Sequence, residues 1–269
     1  MVISHNLNAM NAHRQMKIST GEQGKSIEKL SSGYRINRAG DDAAGLAISE
    51  KMRAQINGLD QGSRNAQDGI SMVQTAEGAL TETHSMLQRL KTLAVQSANG
   101  TYSDGDRASI NLEVEQLKSE ISRIGSQTDF NGTKVLKDAK AVNIQVGNKN
   151  GQTIAISLAD MTASGITVNN IDLSNETKAG EAIDTIDTAI KNVSDQRAKL
   201  GAVQNRLEHT IKSVDNTSEN IQAAESRIRD TDMAKEMMNY TKSQILTNAA
   251  QSMLAQANQA PQSVLQLLQ

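Results

Sequence analysis

The chain contains no cysteine and no tryptophan, only one phenylalanine, and a single proline, Pro261, in 269 residues. Without cysteine there are no disulfides, thiolate metal sites or cysteine nucleophiles. With so few aromatics, any core must be filled by Leu, Ile, Val, Met and Ala. One proline near the end leaves almost nothing to interrupt a long helix. No apolar run reaches the ~18 residues that read as a membrane span. The first ten residues mix Ser4, His5, Asn6 and Asn8 with apolar ones, which is not a signal-peptide pattern. The chain is therefore expected to stay in the cytoplasm or to leave by a route without a cleaved signal, and no membrane insertion is expected. The formal charge is -2 with signs interspersed, so there is no basic field for nucleic acid.

Catalytic chemistry is equally thin. His5, His13, His84 and His209 are scattered, and no HExxH pattern occurs, so no metal site is expected. Gly40 and Gly45 enclose Asp41 and Asp42, where a phosphate loop would need bare amides. The two aspartates read instead as an N-cap and favourable dipole charges at a helix start, with Gly40 making the turn. No GxSxG elbow is present. The Asn-x-Ser/Thr triplets at Asn99, Asn131, Asn175, Asn216 and Asn239 are what chance gives in a chain rich in those residues. Neither a catalytic residue nor a cofactor is expected.

What is present is a seven-residue apolar repeat, used twice. Met52, Leu59, Ala66, Val73, Leu80, Leu87 and Ala94 form one series; Ile186, Val193, Leu200, Leu207, Val214, Ile221 and Ile228 form the other. A sustained period of 3.5 implies supercoiled helix packing rather than an ordinary amphipathic helix. Each series covers about fifty residues, which at 1.5 Å per residue gives two matched helices of roughly 75 Å. A shorter helix carrying Ile110, Val114, Leu117, Ile121 and Ile124 follows the turns at Asn99-Gly100 and Asp104-Gly105 and can fold back antiparallel. Between the series, Val142, Ile144 and Val146 alternate with polar residues, residues 147–151 form a Gly- and Asn-rich turn, and Ile154, Ile156 and Leu158 alternate again. That pattern predicts a β-hairpin. Ile166, Val168, Ile171 and Leu173 lie in a Gly/Asn/Ser/Thr-rich stretch and read as a loop or short strand.

The ends have apolar faces but no core of their own. At 100° per residue Ile3, Leu7, Met10 and Ile18 share one side of a helix, while Ile27, Leu30 and Tyr34 fall on the opposite side. The C-terminal stretch presents Ile245, Leu246, Met253 and Leu254, then Val264, Leu265 and Leu268 beyond Pro261. An isolated helical end is marginal in water, because ordering costs roughly 1–2 kcal/mol per residue. Each end is expected to pair with the other through one face and to offer the second face to neighbouring subunits, making a homopolymer.

Residues 29–49, Lys-Leu-Ser-Ser-Gly-Tyr-Arg-Ile-Asn-Arg-Ala-Gly-Asp-Asp-Ala-Ala-Gly-Leu-Ala-Ile-Ser, closely resemble bacterial flagellin. The likeness continues through residues 67–71, 75–80, 197–208, 226–234 and 261–269, and leaves out only about 135–180. It implies a mainly α fold: a long antiparallel coiled-coil bundle, or rod, with a small β-hairpin region, plus a terminal two-helix domain made from both chain ends. Residues 1–40 with 232–269 would form that inner domain. Residues 41–231 would form the rod, with helices near 43–99, 105–127 and 179–230, a hairpin near 140–160, and no room for large outer domains. The resemblance also implies an extracellular filament subunit serving motility. It would be exported unfolded by a type III apparatus and assisted by an export chaperone, a cap protein and hook-junction proteins. Toll-like receptor 5 recognition is implied at Arg89, Leu93 and Glu113. Leu90 and Ala94 beside them read equally as packing residues, and Arg89 as a solvated charge. A hook-filament junction protein and a soluble coiled-coil binding module are the alternatives; filament formation separates the binding module from the filament subunit.

Overall fold

The computed structural model describes residues 6–267, with side chains to residue 259. Five helices account for most of the described chain: α1 Leu7–Ser32, α2 Ala43–Ser97, α3 Asp104–Gln127, α4 Glu176–Arg229 and α5 Met233–Leu267. Four short strands, β1 Asp129–Phe130, β2 Thr133–Lys134, β3 Ala141–Gln145 and β4 Thr153–Ser157, form two antiparallel hairpins. The chain divides into two compact units: residues up to Ile56 with those from Glu219 onward, and Asn57–Ser218. Both boundaries fall inside α2 and α4. No described helix is long and apolar enough to cross a membrane.

Helix ends are fixed by local chemistry. The Asn6 side chain accepts from the Ala9 amide at 3.1 Å and starts α1, and Gly33, at φ 75°, ends it by donating to the Lys29 carbonyl. Asp42 caps α2 by accepting from the Gly45 amide at 2.8 Å. Asp41, expected to share that role, instead accepts from the amides of Asn37 and Arg38 and ties down the preceding loop. Ser103 and Asp106 form a reciprocal capping box on α3. The buried Arg107 guanidinium donates to the carbonyls of Ser97 and Asn99, both at 3.0 Å, closing the C-terminal end of α2.

In the Asn57–Ser218 unit α2 and α4 run antiparallel. Their register is set by hydrogen bonds from Ser63 to Asp215 and Ser218 to Asp60, both 2.9 Å, and by the Lys91–Asp187 pair at 2.6 Å. The seam residues Leu59, Val73, Leu80, Leu87, Ile186, Val193, Leu200 and Leu207 are buried there. Met52, Val214, Ile221 and Ile228 are only half-buried. The difference follows from a third layer. α3 contributes Val114 and Ile121, and the segment after it contributes Val135, Leu136, Ile156 and Met161 to one continuous core.

The stretch with Ile166, Val168, Ile171 and Leu173 contains no strand, yet all four side chains are buried. Most of its backbone amides from Ile166 to Ile171 bond locally in turns, as Ile166 does to the Thr162 carbonyl and Val168 to the Ala163 carbonyl, and neighbouring helices supply further bonds. The Ser97 hydroxyl donates to the Leu173 carbonyl at 2.8 Å, Lys118 to the Ile171 carbonyl at 3.0 Å, and the Leu173 amide donates to Asn111 at 3.2 Å. Such staples join residues more than fifty positions apart, so no local pattern announces them. The β1–β2 hairpin also lay outside the sequence expectation. Its Asn131-Gly132 turn, at φ 50° and 78°, is the two-residue signal that would have found it.

The β3–β4 hairpin pairs Ala141 with Ser157 through Gln145 with Thr153. It lies on a glycine track of α2. A Cβ on Gly62 would sit 2.6 Å from the Val146 carbonyl oxygen, and one on Gly69 would sit 3.2 Å from Ile144. Asn65 donates to the Gln145 carbonyl at 3.0 Å, and Ala66, Val146, Ile154 and Leu207 close a second small core.

Candidate assembly surface

In the terminal unit α1 and α5 pack against each other. They run antiparallel: Asn6 donates to the Ala257 carbonyl at 2.7 Å, and the Thr231 amide donates to Gly33 at 3.0 Å. The paired faces differ from the expectation. The buried positions are Ser19 and Ser26 on α1, seven apart, and Glu236, Ser243 and Ala250 on α5, also seven apart. Small side chains at heptad spacing let two helices approach closely, at the cost of little apolar burial. The large apolar residues point outward. Leu7 is 68 % exposed, Met10 61 %, Met238 66 %, Ile245 62 % and Met253 62 %, with Ile18, Ile27 and Leu246 also exposed. Thus neither helix spends its bulky face on the other.

The expected end residues fall in different places. Leu7, Met10 and Ile27 are exposed, but Leu30 and Leu254 are half-buried. Tyr34 is not on the α1 surface at all, because the helix stops at Ser32 and Gly33 turns the chain. Ile3, Val264, Leu265 and Leu268 lie outside the residues whose side chains are described.

A polar knot fixes where α1 ends and α5 begins. Tyr34 forms an antiparallel bridge with Asp230, and the Arg35 amide donates to the Arg229 carbonyl at 2.6 Å. The Arg35 guanidinium donates twice to the Ile228 carbonyl, at 3.2 and 2.5 Å, placing a cation on the C-terminal end of α4. Arg229 pairs with Glu50 at 2.8 Å and stacks 4.7 Å from the centre of the Tyr34 ring. Ile36, next along the chain from Arg35, is buried. These contacts unite residues 33–36 with 228–231, two of the segments that carried the flagellin resemblance.

Comparison with known proteins agrees with this architecture. The family model described as the bacterial flagellin N-terminal helical region matches residues 3–141, and the one for the C-terminal helical region matches residues 183–268. The chain belongs to the bacterial flagellin family. It is 60 % identical to the flagellin of Halalkalibacterium halodurans over the whole of both chains. It is 49 % identical to the flagellar filament 31.3 kDa core protein of Treponema maltophilum, again over both full lengths. The crystal structure of Bacillus cereus flagellin superposes with a TM-score of 0.52 at 33 % identity, covering 60 % of this chain and 94 % of that one. As a flagellin the chain is a structural subunit, not an enzyme. Among the described residues there is no cluster of His, Cys, Asp or Glu able to hold a metal.

The positions expected to face an immune receptor separate in this flagellin fold. Arg89 and Glu113 are exposed and form a two-pronged pair, Nε to Oε1 at 2.8 Å and Nη2 to Oε2 at 3.2 Å. The guanidinium lowers the Glu113 carboxyl below its ordinary range. Leu93 is 2 % exposed and belongs to the core, as do Leu90 and Ala94. A surface contact through Leu93 therefore does not fit, and the exposed apolar position nearby is Val95.

Proposed function

We propose that this flagellin is the subunit of an extracellular flagellar filament and that its copies polymerise through the outward faces of α1 and α5, giving a propeller for motility. One observation carries the reading: both terminal helices hold most of their large apolar side chains in water while burying serines between them. Contiguous exposed apolar surface of this kind marks an interaction site. Its occupant is further copies of the same chain, since both helices of the pair present such faces and the T. maltophilum relative is named as a filament core protein. In this reading residues 1–40 and 232–269 line the interior of the polymer and 41–231 surround it. The proteins that would handle the subunit are an export chaperone, a cap and hook-junction proteins. A chaperone has a clear task, because the α5 face with Met238, Ile245 and Met253 would otherwise associate before export. Receptor recognition by Toll-like receptor 5 would rest on Arg89 and Glu113, and Glu113→Ala would weaken it.

Concentration-dependent pelleting with negative-stain electron microscopy tests the assembly. Filaments above a threshold concentration are expected. A chain that stays monomeric at every concentration would overturn the reading.

A further inference from the structure

Five of the exposed large apolar residues are methionines, and all five lie in the terminal unit: Met10 on α1 and Met233, Met237, Met238 and Met253 on α5. In the Asn57–Ser218 unit the distribution is reversed. Met72 and Met161 are buried and Met86 is half-buried. Among the described residues, exposed thioethers are thus confined to the terminal unit. On α5, Met238, Ile245, Leu246 and Met253 recur at spacings of seven, one and seven and form one stripe. Met237, Met238, Thr241, Lys242, Ile245 and Leu246 line a single open depression on that surface.

We propose that these five methionines are an oxidation site that controls the free subunit's competence to assemble, with hydrogen peroxide as the oxidant. The inference rests on the assembly reading above. A thioether reacts with a peroxide when it is accessible. The sulfur takes one oxygen atom, the O–O bond breaks, the sulfur is oxidised by two electrons, and the other oxygen leaves as water with both protons. The product is a sulfoxide, a strong acceptor where an apolar group stood. In the free subunit the sulfoxide stays hydrated at no cost. On assembly it must lose that water against an apolar neighbour, and a buried polar group without a donor is penalised. Oxidation therefore acts on the joining step and leaves the folded subunit intact. A subunit already joined keeps these sulfurs covered and resists the same oxidant.

The test is to treat the purified full chain with hydrogen peroxide, map the added oxygens by peptide mass spectrometry, and measure the threshold concentration for pelleting. Oxygen is expected at Met10, Met233, Met237, Met238 and Met253, none at Met72 and Met161, with unchanged helical circular dichroism. The threshold is expected to rise about tenfold or more, the factor that follows from burying even one unpaired polar group. A variant with all five changed to leucine, a swap that keeps volume, is expected to pellet equally with and without peroxide. Within a partly oxidised wild-type sample, oxidised chains are expected in the supernatant; equal abundance in pellet and supernatant overturns the proposal even if the leucine variant assembles poorly. Oxidised wild type that pellets at the untreated threshold also overturns it, and so does a leucine variant that still loses assembly in peroxide. Untreated wild type that never pellets overturns the assembly reading and this inference with it.

Discussion

Two glycines of the same helix should respond to alanine with opposite signs. Gly62 and Gly78 both lie inside α2, where intrinsic propensity favours alanine over glycine by ~1 kcal/mol. A Cβ on Gly78 meets nothing within 4 Å. Gly78→Ala should therefore stabilise by about 0.5–1 kcal/mol. A Cβ on Gly62 would stand 2.6 Å from the Val146 carbonyl oxygen, 2.8 Å from its carbon and 3.2 Å from the Gly147 nitrogen. These are backbone atoms and cannot rotate away, so the β3–β4 hairpin must lift. Overpacking costs ~1–3 kcal/mol, and loss of the Asn65 bond to the Gln145 carbonyl removes ~1 kcal/mol more. Set against the propensity gain, Gly62→Ala should destabilise by about 1–3 kcal/mol. At ~2–4 °C per kcal/mol for a domain of 150–250 residues, thermal melts followed by circular dichroism resolve the two shifts. Hydrogen exchange adds a local readout, since the Val146 amide donates to Gln152 and should lose protection in Gly62→Ala only. If both variants gain stability, the close hairpin contact is refuted.

Leu207→Asp would put a charge into the small core of Ala66, Val146 and Ile154, where several kcal/mol are lost, on the order of 3–5; urea denaturation checks it. Arg107→Met leaves the carbonyls of Ser97 and Asn99 without their donor, a loss of ~1–3 kcal/mol that should appear as faster exchange of amides at the end of α2. The Lys178 ammonium, helped by the Ser174 amide and hydroxyl, holds the Asp172 carboxyl down to about 2 from 3.8. A depressed carboxyl stabilises the fold above its unfolded value, so this contribution is full above about pH 4 and fades as pH falls towards 2. Asp172 is 40 % exposed, so screening keeps the contribution under ~1 kcal/mol. Asp172→Asn should lower neutral stability by that small amount and flatten the acid limb of a stability–pH curve, so that variant and wild type converge as pH falls towards 2.

The parts of this fold that were legible in the sequence are those set by short-range periodicity. Two heptad series, the alternation around Val142 and Ile154, and the Asp42 cap are each readable from a window of a few residues. The stretch from Ile166 to Leu173 was not, because Ser97, Lys118 and Asn111 hold it from distant helices. The polar knot at Tyr34 reads in sequence as helix surface for the same reason: Arg229 and Asp230 reach it across nearly two hundred residues. At the ends, the apolar faces were visible, but which face pairs inside the subunit was not. Hydrophobicity pointed to Leu7 or Ile27, whereas the seam uses Ser19, Ser26 and Ser243. A heptad of small residues leaves almost no hydropathy signal. The bulky residues are thereby left at the surface of the subunit.

The most direct test of that division is one substitution on the outward face. Ile245 is 62 % exposed and lies away from the Ser243 and Ala250 seam, so Ile245→Asp should change the subunit's stability by no more than ~0.5 kcal/mol. Sedimentation of Ile245→Asp beside wild type, with melting of both subunits as control, is the decisive measurement. The expected result is an unchanged melt and no pelleted filaments. Filaments formed by Ile245→Asp at the wild-type threshold would contradict the claim that this face joins one subunit to the next.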